Sequence, residues 1–76
     1  GTQDWRNLTA FRDTMNLTRE AVQVARRPPA DSAQLRTARV AHLVAMSQYE
    51  QALTNSRLPI PQGLHQQVRL LRRLLA

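Results

Sequence analysis

Five carboxylates, two histidines and eleven arginines supply nearly all the side chains of this 76-residue chain that could do chemistry. The acids stand at Asp4, Asp13, Glu20, Asp31 and Glu50. Asp13 and Glu20 are two helical turns apart and share a face with Arg6, a pattern that reads as solvated. A carboxylate pair working as acid and base needs a pocket that drives its two pKa values apart, and nothing around this pair supplies one. His42 falls on an apolar stripe, with Met46 four residues on. Such a pair can grip a soft metal, but no third ligand accompanies it. The spacing therefore predicts a core histidine, hydrogen-bonded to a backbone or side-chain acceptor. His65 falls at a polar helix edge and reads as solvated. The only glycines are Gly1 and Gly63 and there is no cysteine, so no phosphate-cradling loop or thiol site can be built. No Ser/His/Asp grouping has a supporting motif either. The expectation is a protein that is not an enzyme, with no catalytic residue, metal, cofactor or small-molecule substrate.

The arginines are the stronger signal. Every basic residue is arginine, which reflects a GC-rich genome as much as chemistry, but the distribution is uneven. Residues 1–50 hold seven arginines and five acids, whereas residues 51–76 hold Arg57, Arg69, Arg72 and Arg73 and no acid. Arg69, Arg72 and Arg73 on one short helix suit three anionic settings besides plain solvent. Forks on nucleic-acid phosphates are one. Single-strand binders, however, interleave aromatics for base stacking, and this chain has only Trp5, Phe11 and Tyr49, two of them on apparent core stripes. An anionic membrane surface is the second, since basic amphipathic helices lie at interfaces. The leucines of this helix are better used to close a bundle, so membrane contact is not expected. An acidic protein partner satisfies the same arginines, and arginine is enriched where interfaces concentrate their energy.

Three helical segments position these residues, separated by proline. The first is expected over about residues 4–27 and ends at Pro28-Pro29, because proline removes a backbone donor and disfavours helix in the residue before it. Leu8, Phe11, Met15, Thr18, Val22 and Ala25 recur at spacings of three and four, one helix face with Trp5 on its edge. Arg26 and Arg27 fall at its C-terminal end, where the helix dipole favours cations. The second, about 32–55, opens on Asp31-Ser32-Ala33-Gln34, which reads as a capping box. Its stripe is Leu35, Ala38, His42, Met46, Tyr49 and Leu53, with Ala45 and Ala52 small enough to admit a close neighbour. The third, about 62–75, has Pro61 suited to its first position and a stripe of Leu64, Val68, Leu71 and Leu75, widened by Leu70 and Leu74. Between the last two segments Leu58-Pro59-Ile60-Pro61 reads as extended, its apolar residues packing down. The connection is too long for a DNA-binding helix-turn-helix, which needs a turn of about three or four residues. The parsimonious fold is all-α, an antiparallel three-helix bundle forming a single domain, a long hairpin with a shorter helix across its groove.

This chain is too short to hold much stability in one core, typically about 3–5 kcal/mol. It nevertheless carries apolar residues off its main stripes. Leu17 and Val24 lie almost opposite the stripe of the first segment, and Val40 and Val44 away from that of the second. Helices apolar on several sides expect burial on several sides. Leu17, Val24, Val40 and Val44 are therefore the candidate partner-binding residues, with Arg69, Arg72 and Arg73 steering an acidic partner. The expected function is a small basic helical interaction module, an adaptor, assembly or chaperone-like subunit of a larger, bacterial complex. It would bind a partner helix or extended segment, or a second copy of itself. The alternative is a nucleic-acid-binding helical domain using the C-terminal arginines. No signal peptide is legible at the N-terminus and no apolar run is long enough to span a bilayer. The lack of cysteine favours a bacterial cytoplasm or periplasm over a disulfide-rich secreted setting.

Overall fold

The computed structural model describes the backbone of residues 2–76 and the side chains from Arg6 onward. Three helices account for the fold, α1 (Thr2–Ala25), α2 (Ser32–Asn55) and α3 (Gln62–Leu75). The chain is an antiparallel three-helix bundle, elongated to 45 × 21 × 16 Å. Trp5 belongs to α1, but its side chain lies outside the described residues.

The punctuation acts largely as its residues demand. α1 stops at Ala25 and not at Arg27, two residues short of the expected end. The Arg26 amide still reaches the Val22 carbonyl, but the Arg27 amide turns to Val24, tightening the last turn ahead of Pro28. Arg26 and Arg27 therefore follow the helix and do not form its last turn. At the start of α2 the Asp31 carboxylate accepts from the Ala33 amide at 2.9 Å, satisfying one of the orphan donors of the first turn. Gln34 makes no return bond, so only the aspartate half of the expected capping box forms. Pro61 sits one residue outside α3, where its carbonyl accepts from His65 at 3.2 Å.

α2 ends at Asn55, as its spacing predicts, but the way it closes carries no mark in the sequence. Arg57 adopts the left-handed conformation at φ 58°. The Leu58 amide bonds to the Leu53 carbonyl and the Arg57 amide to Thr54. This is the paired arrangement that usually closes a helix on glycine. Arginine here carries the Cβ strain that glycine would avoid, on the order of 1 kcal/mol.

Met15, Ala45, Met46, Leu53, Leu64 and Val68 form the buried cluster, with Leu8, Leu43, Tyr49 and Leu71 packed against it. Every one except Leu43 comes from a stripe or flank read from the sequence. One side-chain pair bridges each seam, Thr18 with His42 between α1 and α2, and Glu50 with His65 between α2 and α3. α2 is the shared helix. Among the described residues no Cα of α1 comes within 8 Å of a Cα of α3. α3 therefore packs closely on α2 and stands farther from α1, which leaves the α1–α3 side of the bundle the wider one. The linker is also less covered than expected, since both Leu58 and Ile60 remain exposed. Leu58 borders a shallow cleft with Leu8, Tyr49 and Leu53.

Candidate functional site: apolar faces and a basic helix

His42 is the one buried polar side chain among the described residues. Its Nδ1 lies 2.8 Å from the Thr18 hydroxyl, which itself lies 2.8 Å from the Met15 carbonyl. A hydroxyl carries one proton. Both bonds hold when that proton goes to Met15 and the ring donates Nδ1–H to Thr18. Burial lowers the pKa of His42, and the nearby Arg19 guanidinium lowers it further. The neutral ring is thus a polar pin between α1 and α2, as the sequence stripe implied. Nε2 has no partner among the described residues, yet no buried polar atom there is unsatisfied, so this nitrogen keeps contact with solvent. Met46 is buried in the core beside it. Among the described residues no three His, Cys, Asp or Glu side chains gather where they could hold a metal ion.

His65 is not merely solvated. Its Nδ1 meets a Glu50 carboxylate oxygen at 3.1 Å, tying the first turn of α3 to α2. No sequence pattern marks this pair, because it depends on the register of two helices joined by a proline linker. Asp13 and Glu20 lie exposed with Arg6.

The residues chosen as partner-binding all reach solvent. Leu17, Val24, Val40 and Val44 are exposed. They do not form one surface. Leu17 and Val24 point about 140° or more from Met15 and Val22, so they lie on the outer side of α1. Val40 and Val44 point about 160° from His42, on the outer side of α2. The grooves along the α1–α2 hairpin lie between these directions. A ligand seated in such a groove could not touch both pairs.

The larger surprise is on α3. Val68 is 2% exposed and Leu64 is buried, as their stripe required, but Leu70 and Leu74 remain 59% and 65% exposed. They were expected to widen the buried stripe. The wider α1–α3 side of the bundle leaves them uncovered. Leu70 and Leu74 instead join Gln67, Leu71, His42 and Met46 around a groove of about 230 Å³ between α3 and α2. The groove lies on the flank of α2 that faces α1, since the His42 ring lining it also holds Thr18.

Arg69, Arg72 and Arg73 are all exposed. Arg69 and Arg73 flank Leu70 together with Gln66. None of the three meets a carboxylate within ion-pair distance among the described residues. Arg72 and Arg73 occupy the last turn of α3, where the helix dipole also favours them. Phe11 and Tyr49 are partly buried. Among the described residues no helix is long and apolar enough to cross a membrane.

Set against protein-family profiles, curated proteins and solved structures, the chain has no significant match in any of the three.

Proposed function

We propose that this chain is a helical protein–protein interaction module, and that its mechanism is the docking of a partner helix on apolar faces its own core leaves uncovered. One observation carries the reading. Among the described residues eight large apolar side chains are exposed, against six buried apolar ones. Single exposed leucines are ordinary. Pairs spaced four or seven apart on each of three helices are less so, and exposed apolar patches mark interaction surfaces. A small core gains the most from such extra burial.

The test uses labelled amphipathic helical peptides with acidic, basic or uncharged flanks, together with light scattering for self-association. The reading expects saturable binding of at least one peptide, or a defined oligomer. One of the pairs Leu17→Asp/Val24→Asp, Val40→Asp/Val44→Asp or Leu70→Asp/Leu74→Asp should abolish it while leaving helicity intact. A monomer that binds no peptide contradicts the reading. Unfolding of all three variants also contradicts it, since those positions would then be core.

A second reading rests on the unpaired arginines of α3, which would suit nucleic-acid phosphates. Replacing Arg69, Arg72 and Arg73 by glutamine should then weaken oligonucleotide binding uniformly and flatten its salt dependence. The part-buried Phe11 and Tyr49 weigh against stacked single strands.

A further inference from the structure

We infer that the groove between α2 and α3 is the docking site within this module, and that its occupant is an acidic amphipathic helix of another protein. The inference rests on the interaction-module reading and commits it to one face and one chemistry.

Three observations select the occupant. First, Leu70 and Leu74 are the exposed apolar pair of one helix that borders a shallow groove reaching the core, through Leu71 and Met46, whereas Leu58 of the linker reaches core side chains singly. Leu17 with Val24, and Val40 with Val44, stand on outward helix faces. Second, Gln67, Leu70, Leu71 and Leu74 repeat at intervals of three and four along α3. That is the pattern an amphipathic helix meets when it lies along a groove with anchors at matching intervals. The wider α1–α3 side gives such a helix room to pack as a fourth member of the bundle.

Third, the rim is basic at its outer edge, where Arg69 and Arg73 flank Leu70 on α3. Residues 51–76 contain no acid to answer them. A second copy of this chain, itself formally +6, would bring like charges to the same rim. Carboxylates flanking an apolar stripe complement it, and complementary charge sets both partner choice and association rate. A membrane is a poorer fit. The most apolar side of α3, Leu64 and Val68, is already turned into the core, and the remaining leucines border a recess lined partly by His42 and Gln67.

Fluorescence anisotropy with three peptides of about five helical turns tests the assignment. All share one composition of apolar residues. One flanks a helical apolar stripe with glutamate, one flanks it with lysine, and one keeps the glutamates but scrambles the stripe. The glutamate-flanked peptide should bind at least about tenfold tighter than either of the others. Leu70→Ser/Leu74→Ser and Arg69→Glu/Arg73→Glu should each cost it about tenfold or more, with Val40→Ser/Val44→Ser leaving it unchanged. Equal binding of the scrambled acidic peptide overturns the inference, because the arginines would then be holding charge alone. Preference for the lysine-flanked peptide, or loss in the Val40/Val44 variant only, overturns it while the interaction-module reading stands. Absence of binding by every peptide from a monomeric chain overturns both. Retention on phosphatidylserine vesicles that depends on Leu70 and Leu74, without peptide preference, replaces the helix with a lipid surface and overturns it too.

Discussion

Where α1 meets α2, two helices of 24 residues run the length of the molecule, joined by a part-buried threonine–histidine pin. Where α3 meets α2, a helix of 14 residues is held by Leu64, Val68 and the part-buried Leu71 and Leu75, with a histidine–glutamate pair at its exposed edge. The first seam uses nearly all the apolar residues facing it. The second does not. α3 has an apolar arc wide enough for two close neighbours but packs closely only on α2, and Leu70 and Leu74 are left exposed. The difference teaches that amphipathic strength and burial are separate properties. The most strongly patterned helix in the chain still leaves part of its apolar arc in solvent.

Breaking the shared core should have the largest effect. Met46 is 1% exposed and stands where both seams converge. Met46→Ala should cost about 2–5 kcal/mol, most of what a chain this small holds. Urea denaturation should show it largely unfolded at room temperature. A loss below about 1 kcal/mol would mean that the two seams do not depend on a common centre.

The next effect is confined to the first seam. Thr18→Val leaves the buried Nδ1–H of His42 without its acceptor and should cost about 1–3 kcal/mol. Adding His42→Leu should recover much of this, because no polar group is then stranded. The same histidine gives the seam a pH dependence. Its folded pKa lies below the ordinary value, so below about pH 6.5 the unfolded chain takes up a proton that the folded chain resists. Stability from this group is full above that pH and falls as pH drops toward the lowered folded value. Between pH 7.5 and 5.5 the native chain should lose stability more steeply than a His42→Leu variant. Parallel curves would remove the pin from the account.

Two smaller effects belong to the second seam. Arg57→Gly relieves a left-handed residue at the end of α2 and should stabilise the chain by about 0.5–1 kcal/mol in thermal denaturation. A destabilisation would mean that the arginine side chain contributes more than its backbone costs. Glu50→Gln weakens the tie to His65, of which the histidine is largely exposed. A side-chain contact so placed contributes a few tenths of a kcal/mol. Hydrogen exchange should therefore reveal faster opening of α3 with global stability almost unchanged.

Much of this fold could be read from residue spacing. The stripes through Met15, Met46 and Val68 predict which side of each helix is buried, since a single helix determines its own periodicity. The same geometry places Leu17, Val24, Val40 and Val44 away from the core. The exposure of Leu70 and Leu74 depends on how closely α1 approaches α3, which no local pattern encodes. His65 with Glu50 was missed for a related reason, as register across a proline linker is set by packing. The left-handed Arg57 escaped notice because glycine is the residue that ordinarily marks that position. The direction and strength of the C-terminal charge were legible throughout. What the arginines surround was not.

The most direct measurement is urea denaturation of the Leu70→Ser/Leu74→Ser double variant beside the native chain. If these leucines are a docking face and not part of the core, the unfolding free energies should agree within about 0.5 kcal/mol, as for ordinary surface changes. A loss of about 2 kcal/mol or more, in the range of buried leucine truncations, would place both side chains in the core and contradict the open groove.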